Sequence, residues 1–301
     1  MIIGVDLGSK QVKTSAKIMF DNRYTQKEEL YSSAHKIEID GQVYYIGEGD
    51  YETETNKIDR PNLITSLYSA IALSTTDEIN QIVLGLPVQH YKSQKSKLVE
   101  LVKENRIRQI RLDDGDERQI MITDVEVAPE GVSAFYSLDE DLKKRIGSQD
   151  LVIIDIGGRT TDICLYKLEK NGSRRITKYE SVMVGILNIY SSLVEQINEK
   201  YVLDYDIEDA QSILQNGLYL HGVKQDISFT GAILVKQVNK IFKTLNMNFS
   251  VDSRQPLLMG GGGLTLKALF KEKMPHTFIA NEPLFGNSIG FLKVGETLWN
   301  K

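Results

Sequence analysis

The chain has one cysteine, one tryptophan and six prolines in 301 residues. A lone thiol, Cys164, excludes an internal disulfide and any zinc site built on cysteines. It suits a reducing compartment, so a cytoplasmic location is expected. The four histidines, His35, His90, His221 and His276, are scattered without metal-ligand spacing and read as structural or surface groups. No apolar run approaches the ~20 residues of a membrane-spanning helix. Met1-Ile2-Ile3-Gly4-Val5-Asp6 reaches an acidic residue almost at once with no basic start, and so reads as a buried strand rather than a signal peptide. Positive charge is also in deficit: the formal net charge is −5. Nucleic acid and acidic membranes call for a basic surface, so neither is expected as a direct partner.

What is present is a folded chain of ordinary composition, 41% hydrophobic and 26% charged. Its length predicts about two domains, and no low-complexity linker separates them. Strands and helices alternate. Ile2 to Val5 reads as a buried strand, with Val12 to Met19 as its partner across a short turn. His35–Ile39 and Val43–Ile46 flank Asp40-Gly41, a hairpin signal repeated by Asn171-Gly172 between Ile163–Leu168 and Ile176–Glu180. Helical spacing runs over Leu63–Leu73, Gln94–Asn105, Leu187–Lys200, Ile207–Asn216 and Gly231–Leu245, and a helix starts in Gly131–Tyr136. Ile82–Leu86, Met121–Val127, Leu151–Ile154 and Leu257–Met259 read as further strands. The fold class is therefore α/β with mixed sheets.

One internal similarity organises the rest. Asp6-Leu7-Gly8-Ser9-Lys10 and Asp155-Ile156-Gly157-Gly158-Arg159-Thr160 each follow a buried strand and precede a second one. Glycine lets backbone approach a ligand, and successive N–H groups in such a turn make a concavity for anionic oxygens. Ser9, Thr160 and Thr161 add hydroxyls, and Lys10 and Arg159 add positive charge. The aspartates complicate the picture. A carboxylate ~5 Å from a phosphate oxygen is repelled by about 3 kcal/mol at an effective dielectric of ~20. Asp6 and Asp155 therefore call for Mg²⁺ held through water between them and a nucleotide, with Asp162 as an outer carboxylate. A single Asp-x-Gly is an ordinary turn; two in matching contexts point to a shared ligand. Gly260-Gly261-Gly262-Gly263, between a strand and the helical stretch Leu264–Phe270, suits close packing against a base or ribose. Neither a G-x-x-x-x-G-K-[ST] loop nor a G-x-G-x-x-G fingerprint is present.

These motifs resemble those of the actin superfamily. The turn at Asp6 is similar to its first phosphate motif, the turn at Asp155 to its second, and Met259-Gly260-Gly261-Gly262 to its adenosine motif. Leu86-Pro87 and 281–290 resemble its connecting segments. Gly158-Arg159 departs from the Asp-Gly that actin has there. The resemblance implies an actin-like (ribonuclease H-like) two-domain ATPase fold with a central nucleotide cleft. Residues 1–150 would form the first domain, with an insert near 21–66. Residues 151–287 would form the second, with an insert near 190–255, and 288–301 a C-terminal helix returning to the first. It further implies Mg²⁺ as cofactor and ATP (or GTP) as substrate. Glu130, at the place of the residue that positions the attacking water, and Asp155 would be catalytic. Asp6, Gly8, Ser9, Lys10, Gly157, Gly158, Arg159, Thr160, Gly260, Gly261 and Gly262 would bind nucleotide. A ribose contact is implied near Tyr205–Leu214, with Glu208, Asp209 and Gln211 as choices; Glu208 and Gln211 are carried forward.

Length and termini narrow the family. There is no room for a chaperone's substrate region. Sugar kinases are usually longer and use an aspartate on a hydroxyl substrate. With a strand expected from residue 2 and few basic residues in Phe291–Lys301, neither the N-terminal membrane segment of MreB-like proteins nor the basic C-terminal helix of FtsA-like ones is expected. The remaining resemblance is to ParM/StbA plasmid-segregation actins, which implies self-assembly into filaments and a DNA-binding adaptor as partners. The alternatives are a small-molecule kinase on the same fold or a bacterial cytoskeletal actin unrelated to plasmids. The basic cluster Lys92, Lys95, Lys97, Lys103, Arg106, Arg108 and Arg111 reads as a solvated helix face. Trp299 is expected to pack the last helix onto the first domain.

Overall fold

A computed structural model describes residues 1–28, 34–54 and 56–300 and shows two mixed sheets, each grown around one buried strand with an aspartate as its last residue but one. The first strand, β1 (Ile2–Leu7), is followed by β2 (Gln11–Thr14), β3 (Met19–Asp21), β4 (Tyr24–Thr25), β5 (His35–Ile39) and β6 (Gln42–Ile46). Next come α1 (Leu63–Ser74), β7 (Ile79–Leu86), α2 (Val88–Glu104), β8 (Ile107–Leu112) and β9 (Glu117–Pro129). The nine strands are ordered β3-β2-β1-β7-β9-β8-β5-β6-β4. Ile3, Val5 and Leu7 are buried with Ile82, Leu84 and Leu86, under the α1 side chains Leu67, Tyr68 and Ile71.

The second half repeats the plan. After α3 (Glu140–Ile146) come β10 (Leu151–Ile156), β11 (Thr161–Leu168), β12 (Arg174–Val182), α4 (Ile186–Tyr201) and α5 (Asp209–Asn216). The small hairpin β13 (Tyr219–Leu220) and β14 (Val223–Lys224) precedes α6 (Gly231–Thr244), β15 (Gln255–Met259), α7 (Gly260–Lys273) and β16 (Phe278–Ile279). The order β12-β11-β10-β15-β16 reproduces β3-β2-β1-β7-β9: in each, the central strand has an antiparallel neighbour on one side and a parallel one on the other. The last helix, α8 (Gly286–Trp299), crosses back to pack on β1 and β7. Its approach is so close that a Cβ on Gly4 would lie 2.0 Å from the Ser288 carbonyl oxygen. Trp299 packs in the cluster of Val83, Ala128 and Phe291. Among the described residues, no helix is long and apolar enough to cross a membrane.

Several local expectations are corrected. Val12–Met19 is not one strand: it breaks into β2 and β3 at a turn in which Lys17 takes φ +64° and its N–H donates to the Thr14 carbonyl. Gly131–Tyr136 gives only a 3₁₀ turn, Ser133–Ser137, rather than the start of an α-helix. The glycines at 260–263 do not precede the helix but open it: α7 begins at Gly260, ahead of the expected helical stretch Leu264–Phe270. The basic cluster is not a single helix face. Lys92, Lys95, Lys97 and Lys103 lie on α2, but Arg108 and Arg111 lie on β8, where they pair with Asp40, Glu38 and Glu117. Of the expected inserts and C-terminal helix, residues 29–33, 55 and 301 lie outside the described residues.

Candidate functional site

The two Asp-x-Gly turns face each other and touch. A Cβ on Gly158 would lie 3.0 Å from the Lys10 backbone nitrogen. Each turn is tied down locally. The Asn22 side-chain amide donates to the Gly8 carbonyl at 2.8 Å. The Gly157 N–H donates to Thr160, and the carbonyls of Gly157 and Gly158 accept from Ile186 and Leu187 at the start of α4. Thr161 Oγ1 donates to the buried Val184 carbonyl at 2.7 Å, so that hydroxyl holds the sheet and is not offered to a ligand. The cleft between the turns also takes in Glu130, Asp162 and Gly260–Gly262, and encloses about 1210 Å³ including its open mouth.

The third wall is the start of α7. Gly260 has φ +78°, and a Cβ there would fall 2.4 Å from Asp155 Oδ1. A Cβ on Gly262 would fall 2.4 Å from Ile156 Cγ2. The glycine run is therefore what lets the positive end of a helix sit against the second turn.

Four carboxyl groups, Asp6, Glu130, Asp155 and Asp162, line this cleft. Burial raises Asp155 to about 6, with Asp6 pushing in the same direction. Burial raises Asp162 to about 8, reinforced by Glu130 and opposed by the Ser181 hydroxyl that donates to it. Glu130 is raised as well, by burial against the opposing pull of Lys57. Hard oxygen donors in excess of buried cations suit Mg²⁺. Among the described residues no three acidic, histidine or cysteine side chains are grouped to hold a metal alone. That is compatible with an ion that keeps its waters and takes one or two carboxylates plus phosphate oxygens.

Lys10 and Arg159 both lie at the cleft but are engaged sideways. Lys10 Nζ donates to Gln211 Oε1 at 3.1 Å and sits over the Tyr190 ring. Arg159 Nη2 donates to the Glu52 carbonyl at 2.7 Å. Glu208 is not part of the cleft lining: it pairs with Arg23 in a neighbouring recess. Gln211 reaches the site only through Lys10.

Three residues at the site were not anticipated from sequence. Lys57, from the 3₁₀ turn Lys57–Asp59, contacts the Glu130 carboxylate and lies 4.0 Å from Asp6 Oδ1. Arg60 donates to the Leu7 carbonyl at 3.0 Å and to Ser9 Oγ at 2.9 Å. Asn287, on α8, donates to Asp155 Oδ2 at 2.7 Å and accepts the Gly131 N–H at 2.9 Å. Lys57 and Arg60 carried one faint signal, two cations three residues apart beside Pro61 in an otherwise ordinary polar stretch.

Two family models match the chain, one to each half. Residues 4–132 match the N-terminal domain of actin-like proteins, and residues 153–272 match the C-terminal part of the archaeal MreB-like actin homologue. The chain belongs to the actin superfamily. It is 23% identical to the archaeal actin homolog of Thermoplasma acidophilum, with 98% of this chain and 99% of the relative aligned. The homolog of Thermoplasma volcanium aligns to the same extent. The fold superposes on a 15-stranded ParM filament from Clostridium botulinum with a TM-score of 0.84, 20% identity and 98% and 99% coverage. It superposes on an archaeal actin homolog in complex with ADP with a TM-score of 0.78, 21% identity and 99% coverage of both chains. The two-domain α/β architecture with mixed sheets is thus that of actin-like ATPases.

Proposed function

We propose that this actin-like chain is a Mg²⁺-dependent ATPase that assembles into filaments through nucleotide-dependent self-contacts. The observation that carries the reading is the contact between the two Asp-x-Gly turns, which brings Asp6 and Asp155 to one cleft with Glu130 beside them. The ADP complex of the archaeal homolog and the ParM filament support it.

In this reading the N–H groups around Gly8, Ser9, Gly157 and Gly158 cradle the phosphates. Ser9 and Thr160 present hydroxyls, and Gly260–Gly262 bring backbone close to the nucleoside. Lys10 and Arg159 supply positive charge at the rim, and Gln211, joined to Lys10, is the ribose contact this reading keeps, Glu208 being taken by Arg23. Asp6 and Asp155 would hold Mg²⁺ through its waters, where it would neutralise charge developing on the phosphates. Asn287 keeps the Asp155 carboxyl turned to the cleft. Glu130 orients the attacking water and accepts its proton as the γ-phosphate leaves. Nucleotide bridges the two turns, so binding favours closure of the halves and hydrolysis weakens it. GTP is an alternative substrate.

Transport of plasmid DNA through an adaptor is the specific role the likeness to ParM favours. Near full-length alignment with the archaeal homologs favours a second reading, a cytoskeletal actin without a plasmid. Sedimentation and light scattering at tens of micromolar protein decide the shared claim. ATP with Mg²⁺ should drive assembly that ADP does not sustain; failure to assemble would remove the filament reading. Transfer of phosphate to a hydroxyl compound faster than to water would identify a kinase instead.

A further inference from the structure

We propose that Lys57 is a positioning residue for hydrolysis, acting through Glu130: its ammonium holds the Glu130 carboxylate in place at the cleft. The proposal rests on the hydrolytic reading of the site. Lys57 is only 3% exposed. Lysine is almost never buried this far without partners, and burying an ion pair seldom adds net stability over an apolar pair of similar size. The arrangement here is directional. Lys57 Nζ donates to the Gly85 carbonyl at 3.0 Å, contacts Glu130 Oε1, and turns its remaining side towards Asp6 Oδ1 at 4.0 Å. The stem of Glu130 lies on bare backbone, since a Cβ on Gly85 would be 3.0 Å from Glu130 Cγ and 2.4 Å from the Phe291 ring. Gly85 thus serves twice, as the floor beneath Glu130 and as the carbonyl that pins the ammonium.

Position in the chain adds a second consequence. In a 3₁₀ turn, residues i and i+3 share a face. Arg60 accordingly follows Lys57 into the site and braces Ser9 and the Leu7 carbonyl of the first phosphate turn. One short segment of the first half therefore supports both the water-positioning carboxylate and a phosphate loop, and a shift of that segment reaches both.

The test is a double-substitution cycle on the full chain: wild type, Lys57→Met, Glu130→Gln and the pair, each measured for ATP affinity and single-turnover hydrolysis with Mg²⁺. If Lys57 acts through Glu130, Lys57→Met slows hydrolysis about 100-fold with affinity changed less than about threefold. The pair then falls no more than about threefold below Glu130→Gln alone. The pair should also melt higher than Lys57→Met, because no buried carboxylate is left without its cation. Losses that multiply in the pair, or a Lys57→Met protein that mainly loses affinity, would assign Lys57 to the nucleotide itself and overturn the proposal. If Lys57→Met does not fold, comparison of Glu130→Gln with the pair still decides, a further drop of about tenfold or more counting against it. Wild type without hydrolysis would instead remove the underlying reading, and this inference with it.

Discussion

Asn287→Ala is the substitution whose effect the structure specifies most fully. The side chain is 9% exposed and spans two elements, donating to Asp155 Oδ2 at 2.7 Å and accepting the Gly131 N–H at 2.9 Å. Truncation leaves a buried N–H without a partner, at about 1–3 kcal/mol, and removes a donor from an acidic group, at about 1.5–3 kcal/mol where that group is ionised. Part of the second loss is recovered because Asp155, already raised to about 6, can take up a proton. A net cost of about 3 kcal/mol follows, which at about 2 °C per kcal/mol in a chain this long lowers the melting temperature by roughly 6 °C. Asn287→Asp keeps the acceptor for Gly131 but sets a second carboxyl against Asp155. It should melt lower than wild type without Mg²⁺ and recover more than wild type does when Mg²⁺ is added. Differential scanning calorimetry, with and without Mg²⁺, checks both variants. An Asn287→Ala protein melting within about 1 °C of wild type, with unchanged ATP affinity, would refute the reasoning.

The remaining predictions concern the same cleft. Asp162 is raised from its ordinary value near 3.8 to about 8, so the folded state holds a proton the unfolded state releases. That contribution is fully present below about pH 4 and is lost as the pH rises to about 8. Asp162→Asn should flatten the decline in nucleotide-free melting temperature over that window, and an unaltered pH profile would contradict the assignment. Gly260→Ala forces a side chain into φ +78° with its Cβ 2.4 Å from Asp155 Oδ1. It should lose measurable ATP binding by calorimetry, and near-normal affinity would show that α7 does not wall the site. Glu130→Ala should bind ATP and assemble, yet release phosphate about 100-fold more slowly and give longer-lived filaments by light scattering. Loss of nucleotide binding itself would contradict its role.

Much of the fold could be read from residue patterns because the two central strands are nearly unbroken apolar runs, Ile2–Leu7 and Leu151–Ile156, each closed by an aspartate and a glycine turn. The α/β class follows from that repeat together with the two hairpin signals, and the actin-like architecture is what the resemblance of the three glycine motifs implies. β8 escaped because Arg108 and Arg111, on its two opposite faces, extend the charge of α2 and hide a strand that pairs through its backbone with β9 and β5. The helical pattern shows only from Leu264, because glycine has no side chain to reveal it, whereas tertiary contact with Asp155 and Ile156 requires residues without side chains at the start of α7.

The site divides along the same line. Asp6, Gly8, Asp155 and Gly157 announce themselves locally, since a strand end plus a glycine turn is a short-range pattern. Lys57, Arg60 and Asn287 do not. They meet their partners across separations of 73, 51 and 132 residues, and only the folded sheet brings them together. The choice among Glu208, Asp209 and Gln211 likewise depends on what α5 and the residue before it face. Arg23 claims Glu208, and Lys10 claims Gln211.

In the proposed function a single nucleotide with its Mg²⁺ would be gripped by both turns together. Titration of ATP into wild type, Asp6→Asn and Asp155→Asn, each with Mg²⁺ and with EDTA, tests it most directly. Binding by wild type should weaken at least tenfold in EDTA, with a smaller Mg²⁺ dependence in each variant. Equal affinity in all three proteins, indifferent to EDTA, would contradict it.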